Sequence, residues 1–518
     1  LGLRLEDTNG QWTVGSGTLR LDNSVGISAT GTLTVNAGAG TLEFNAGRFV
    51  GTAIHAAAGS TVDITNGTIS ILGTYTSAGT TNFRNNFDWS IGSFTSTGTT
   101  NFAGNSDPFF GLGRVAFGSP FVGATTNFIG GRTTFGSSYT SVATSISGDA
   151  WALLESAGTT TSLNLSGGTL AGAGGLTLTG AGTWTGGNLG SGFALEAGRL
   201  TVGSGAELVK SGSGTGSIRD YTLATTGTGR VKLVEGAIDA RNGSITTPAI
   251  DNRGVFEFAG DASVLDASVA FFSNNGGSVI KSAGSGVSRL GLRLEDTNGQ
   301  WTVGSGTLRV GSSLQLVQGF GMLTVNPGGG TLEIVEISGS GLSAAVGSTV
   351  AFPAGGNRDS TFSGAYASAG TTNFTGGRVS FNGPLTSTGT LNVNGNTVNA
   401  RAFPVNAGTL NIASGATFST DNHDLTNAAT GRIQGAGTLA LGTGTLTNLG
   451  IVAPGNSPGT LAIGGNFHQG AGGRFAAELG GTGAGQFDVL DVSGTASLGG
   501  TLELSLVDNY LGTVGDRF

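Results

Sequence analysis

The stretch LGLRLEDTNGQWTVGSGTLR runs from Leu1 to Arg20 and returns unchanged from Leu290 to Arg309. Within each copy a shorter unit recurs: SAGTTNF, STGTTNF, SAGTTNF, STGTLNV and NAGTLNI, ending at Phe83, Phe102, Phe374, Val393 and Ile412. A chain that repeats at a short period places each unit against its neighbours, so its architecture is a stack. The short period is measurable. Asn82 to Asn101, Asn373 to Asn392 and Asn392 to Asn411 are each 19 residues. That spacing fits one coil of a parallel β-helix holding two or three short strands. Thr32–Val35, Thr41–Phe44, Thr61–Ile64 and Thr331–Ile334 read as such strands, alternating polar with apolar and separated by Gly, Asn, Ser and Ala.

Alternation assigns the faces. In GTTNF (Gly79 to Phe83) and GTLNV (Gly389 to Val393), Thr81 aligns with Leu391 and Phe83 with Val393, so these positions point inward. Thr80 and Asn82 then point outward, as do Thr99 and Asn101, Thr371 and Asn373, Thr390 and Asn392, and Thr409 and Asn411. Stacked rungs would place them in columns about 4.8 Å apart, close enough for amide side chains to bond up the column.

The 99 glycines have no three-residue period, which excludes collagen, and the 37% of hydrophobic residues recur too regularly for a disordered linker. Net charge is -8, with lysine only at Lys210, Lys232 and Lys281. Without a basic cluster, nucleic-acid binding is not expected, nor docking on anionic lipid. Absence of cysteine excludes disulfides and thiolate catalysis. No apolar run approaches the roughly 18 residues that would cross a membrane as a helix, so direct membrane insertion is not expected. Leu1 falls inside the repeat pattern, without a charged start and apolar run, so the pattern is expected to continue upstream. The large repeat is offset by 290 − 1 = 289 residues, growing to 373 − 82 = 291 at the TNF motif. At about 20 residues per coil the chain would make about 25 coils, a rod on the order of 120 Å long. We divide it into 1–289, a first large repeat; 290–450, a partial second copy; and 451–518, the end of the stack. Loops are expected at Asp107–Pro120 and Asn357–Ser360, where the pattern loosens, and Asn456-Ser457-Pro458-Gly459 reads as a turn between rungs.

The segment from Ala453 to Leu461 (APGNSPGTL), then GGNFHQGAGGRFAAELGG and QFDVLDVSGTASLGGTLELSLVDNYLGTVGDRF, resembles the C-terminal end of the β-helical passenger region of bacterial autotransporters. FFSNNGGSVIKSAGSGVSRLGL (Phe271 to Leu292) and ELVKSGSGTGSI (Glu207 to Ile218) resemble rungs of the same broad class. The resemblance covers the end specifically and the rest loosely. It implies an all-β, right-handed, single-stranded parallel β-helix (β-solenoid) with coils of about 19–20 residues. It also implies export and an extracellular or bacterial cell-surface location. No membrane barrel or grafted enzyme module is recognisable in the sequence.

Candidate chemistry is sparse. Glu6-Asp7 and Glu295-Asp296 each precede Thr-Asn-Gly, a turn rich in acceptors. Asp488 and Asp491, with Glu478 and Glu503, read as charge on the last rungs, where it discourages edge pairing. His55, His423 and His468 have no second histidine at ligand spacing. Asp421-Asn-His-Asp424 reads as an exposed loop, and GGTGAGQFD (Gly480 to Asp488) lacks the tandem pattern of a calcium repeat. Trp12 and Trp301 are equivalent, while Trp89, Trp151 and Trp184 are isolated; packing at the core or corners is the simpler reading for all five. We therefore expect no catalytic, cofactor-binding or metal-binding residues and no cofactor. The expected role is a secreted or surface structural or adhesive rod, assembling with itself laterally or end to end, or contacting surface glycans. A carbohydrate-active enzyme on the same scaffold, needing converging carboxylates, and a binder of an ordered surface such as ice are the alternatives.

Overall fold

A computed structural model describes residues 5–518 except 23–26, 85–88, 105–113, 193–197, 242–245, 267–268, 312–316, 320–321, 336, 339–340, 354–358, 396 and 456–457. The described residues form a parallel β-solenoid without helices. They divide into two compact units, residues 1–257 with 262–272, and residues 258–261 with 273–518.

In the second unit one coil reads directly off the chain. Thr371–Phe374, Arg378–Phe381 and Leu385–Ser387 form three strands on three faces, and Thr390–Val393 then lies in register on the first. The face holding Thr371–Phe374 carries eleven strands in parallel succession, from Val287–Leu290 to Thr501–Leu506. In the first unit Thr18–Asp22 begins a comparable ladder through Thr61–Ile64, Thr80–Arg84 and the Thr99–Ala103 rung to Arg230–Leu233.

Coil length is less uniform than the 19-residue motif predicts. Rung starts Thr125 and Ala143 are 18 apart, but Thr99 and Thr125 are 26 apart, and Arg474 and Thr501 are 27 apart. The additional residues sit in corners and loops, where length is tolerated at little cost. The chain therefore completes fewer coils than about 25. The loop predicted over Asp107–Pro120 is also corrected. Residues 107–113 lie outside the described set, but Arg114–Phe117 is a strand that buries Val115 and Phe117 by ordinary alternation. Of the second predicted loop, residues 357–358 lie outside the described set, and Ser360 already begins a strand. The Asn456-Ser457 part of the predicted turn also lies outside it.

The inward positions fill the solenoid. Thr81, Phe83, Leu391 and Val393 are all buried, as alternation requires. In the first unit Phe83, Phe102 and Phe128 stack with ring centroids 5.1 Å apart at each step, and Phe94, Phe121 and Tyr139 stack at 4.9 and 5.4 Å. Phe362 and Phe381 stack at 4.9 Å in the second unit. These distances follow the rung spacing, so register brings like rings into contact without further adjustment. Each buried ring contributes roughly 1.5–3 kcal/mol by burial.

The glycine of the Gly-Thr-x-Asn motif has a steric cause. A Cβ on Gly98 would lie 2.0 Å from the Gly79 carbonyl oxygen one rung below, and one on Gly389 2.0 Å from the Gly370 oxygen. The backbones approach so closely at this corner that only glycine fits.

Candidate functional site

The outward Thr and Asn residues form columns. In the first unit Thr80 lies beside Thr99 and Asn82 beside Asn101. Asn101 Nδ2 donates to Asn82 Oδ1 at 2.7 Å, and Asn127 Nδ2 donates to Asn101 Oδ1 at 2.8 Å. Asn82 Nδ2 in turn donates to the Asp63 carboxylate, which Arg84 also contacts at 3.4 Å. The ladder thus has one polarity and ends on a group that only accepts. In the second unit Thr371, Thr390 and Thr409 lie in one column. Asn392 Nδ2 donates to Asn373 Oδ1 at 2.8 Å, and Asn411 Nδ2 donates to Asn392 Oδ1 at 3.5 Å. All ten predicted ladder residues therefore sit in columns, partly exposed except for Asn82, which is buried.

A second amide ladder runs inside the solenoid and escapes the 19-residue motif. Asn406, Asn427 and Asn448 are fully buried, and Gln469 is nearly so. Each donates upward, Asn406 to Asn427 at 2.9 Å, Asn427 to Asn448 at 2.8 Å and Asn448 to Gln469 Oε1 at 3.1 Å. The same amides reach carbonyls at the first residue of a strand: Asn427 Nδ2 to Ile451 O at 3.0 Å and Gln469 Nε2 to Thr501 O at 3.2 Å. The sequence signal is an amide residue every 21 positions, each preceding a glycine-containing corner.

Two of the three lysines are internal as well. Lys281 Nζ, with a fully buried side chain, shares its three N–H donors among Gly260 O, Asp261 Oδ1, Ala283 O and Ser288 Oγ, all at 2.9–3.1 Å. Lys210 Nζ donates to the carbonyls of Ser211, Gly212 and Gly214, at 2.8 Å for the last. Burial lowers the Lys210 pKa, while the Glu235 charge acts in the opposite direction. The corners that follow Lys210 (Lys-Ser-Gly-Ser-Gly) and Lys281 (Lys-Ser-Ala-Gly-Ser-Gly) are thus folded around an ammonium that satisfies converging carbonyls.

Of the carboxylate candidates, Asp296 and Glu295 are engaged within the fold. Asp296 Oδ1 accepts from Gly299 N at 2.9 Å, and Oδ2 accepts from Asn274 and Trp301 at 2.7 and 3.0 Å. It closes the Asp-Thr-Asn-Gly turn, in which Asn298 takes the left-handed conformation asparagine tolerates (φ 58°). Burial raises the Asp296 pKa, with its three donors pulling the other way. Glu295 pairs with Arg293 at 2.8 Å. Glu6 is exposed, and the Asp7 side chain lies outside the described set. Asp491 is an exposed position of the Val489–Val492 strand.

His55 Nδ1 bonds Thr76 Oγ1 at 2.8 Å and His423 Nδ1 bonds Thr420 O at 2.9 Å, while His468 is exposed. In the Asp421–Asp424 loop, Asp421 pairs with Arg401 at 2.6 Å and Asp424 accepts from Thr445 N at 2.8 Å. No group of three or more His, Asp or Glu side chains converges as a metal site among the described residues. Trp184 and Trp301 are fully buried and cannot stack on a ligand, Trp12 and Trp151 are half-buried, and the Trp89 side chain lies outside the described set.

A recess of about 680 Å³ opens on the outer surface of the second unit. Ile451, Ala453, Pro454 and Ala476 form its floor, and Arg432, Gln434, Arg474, Glu478, Asp488, Glu503 and Ser505 surround it. Arg474 pairs with Glu503, and Arg432 Nε donates to Gln434 Oε1. Asp488 accepts from Gly459 N at 2.7 Å and Glu478 N at 2.9 Å, which pins the returning chain. Burial raises the Asp488 pKa, with these two N–H groups opposing the rise.

These features define the class: a parallel β-solenoid with amide ladders inside and out. No family model, no curated protein and no solved structure matches the chain.

Proposed function

We propose that this chain is an extracellular or cell-surface structural and adhesive solenoid. The observation that carries the reading is the pair of outward Thr–Asn columns held in register by side-chain hydrogen bonds. Such columns present the same weak contact repeatedly along one face, and repeated weak contacts add up by multivalency. Low charge and small side chains on these faces favour lateral packing of copies. The C-terminal resemblance to bacterial autotransporter passengers supports export and display.

A carbohydrate-active enzyme is less well supported. A hydrolytic pair needs one carboxylate free as acid and another as base or nucleophile. In the recess Asp488 is held by two backbone donors and Glu503 by Arg474.

Electron microscopy of the purified chain, with adhesion to glycan-bearing surfaces measured in parallel, tests the proposal. Filaments or rods, with adhesion lost when Thr371, Thr390 and Thr409 are each changed to lysine, are expected. Globular particles without adhesion would sink it.

A further inference from the structure

The outward amide column of the second unit does not continue unbroken. Above Asn373, Asn392 and Asn411 the register brings Gln434, then Ala453, then Ala476, then Glu503. Two alanines therefore replace long polar side chains between Gln434 and Glu503. The neighbouring column reads Arg432, Ile451, Arg474 and Thr501. Small residues on two successive rungs, framed by long ones, create the recess described above.

Its dimensions and lining specify the ligand class. From Gln434 to Glu503 is three rungs, about 14 Å at the usual spacing, which suits a short oligosaccharide rather than an isolated ion. The volume of about 680 Å³ lies within the range of small-molecule sites. The lining holds two guanidinium groups against three carboxylates, Glu478, Asp488 and Glu503, so the site lacks the surplus positive charge that would select an anion. The lining instead mixes donors (Arg432, Arg474) with acceptors and groups that do both (Glu478, Gln434, Ser505) over an apolar floor. Hydroxyl groups donate and accept, and sugar C–H faces pack on alanine and proline.

We propose that this recess binds a neutral oligosaccharide of about three sugar units. The inference rests on the reading of the solenoid as a contact surface and adds a defined glycan site to it.

The test uses the 518-residue chain with maltotriose, cellotriose, mannotriose and a β-1,3-linked glucotriose. Saturation-transfer NMR and calorimetry read binding, with inorganic phosphate as the ionic control. At least one trisaccharide is expected to bind. Filling the floor by Ala453→Phe with Ala476→Phe should weaken it at least about tenfold, with the far-UV spectrum unchanged. If that pair compromises folding, Glu503→Ala, on an exposed strand, should weaken binding severalfold. Absence of binding to all four sugars, binding of phosphate alone, or unchanged affinity in the folded variants would overturn the inference. Filaments that adhere but bind none of these sugars would overturn this site and leave the broader proposal standing.

Discussion

Asn427→Ala is the most direct test of the internal amide ladder. Asn427 is fully buried with four partners: the two N–H groups of Nδ2 are shared among Asn448 Oδ1, Gly431 O and Ile451 O, and Oδ1 accepts from Asn406. Two donated bonds and one accepted bond, at about 1 kcal/mol each, make their loss cost roughly 3 kcal/mol. Asn406 keeps the carbonyls of Gly408 and Arg432, at 3.0 and 3.2 Å, and Asn448 Oδ1 keeps the Gly450 N–H at 3.2 Å. Neither neighbour is left unsatisfied, so the expected cost stays at about 3 kcal/mol. Asn392 belongs to the outward ladder, and water can replace its partners, so Asn392→Ala should cost about 1 kcal/mol or less. Denaturant unfolding followed by far-UV circular dichroism compares the two. Amide hydrogen exchange over residues 446–452 shows whether the damage is local, as a one-dimensional stack requires. Equal destabilisation by the two substitutions would refute the reasoning, because Asn427 is buried with backbone carbonyls to satisfy and Asn392 is partly exposed with only its ladder neighbours. Asn427→Asp should be worse than alanine at neutral pH, since it loses the three donor contacts and buries a charge.

Alkaline pH should destabilise the fold. Burial raises the phenols of Tyr75, Tyr139 and Tyr366 above their ordinary value of 10.0, that of Tyr139 to about 12, while their threonine partners oppose the rise. The unfolded phenols ionise near pH 10 while the folded ones stay protonated. Stability is thus intact below that value and falls as pH rises, by up to about 1.4 kcal/mol per pH unit per tyrosine; unfolding midpoints between pH 9 and 12 (about the window of these phenols) check it, and Tyr139→Phe should flatten the slope. Lys281→Met should cost about 2 kcal/mol and raise hydrogen exchange around residues 258–261 and 282–288, because the Gly260 and Ala283 carbonyls lose a buried donor while water can reach the half-exposed Asp261 carboxylate. Phe102→Ala interrupts the stack between Phe83 and Phe128 and should lower stability by about 3–5 kcal/mol, read as a shift in denaturation midpoint.

Much of this solenoid is legible in one dimension. The 19-residue recurrence of Asn sets the rungs, and the alternation in Thr-Thr-Asn-Phe separates inward Thr81 and Phe83 from outward Thr80 and Asn82. The internal amides were not legible by the same rule. Asn406 opens an NAGTLNI unit in which only Asn411 belongs to the outward column, and nothing local distinguishes the two asparagines. Burial separates them: the corner turns Asn406 inward, where backbone carbonyls from two rungs converge on it. Lys210 and Lys281 likewise read as surface charge until the corners close around them.

The sequence by itself determined that this protein is a stack and which side chains alternate across each strand, because both follow from short-range periodicity and backbone geometry. Only the tertiary structure decided which columns align. Rungs that differ by up to eleven residues in length (18 and 29) still superpose, because corners absorb the difference while strand register does not. That superposition places Ala453 above Gln434 and below Ala476, and so opens a recess that no single rung contains.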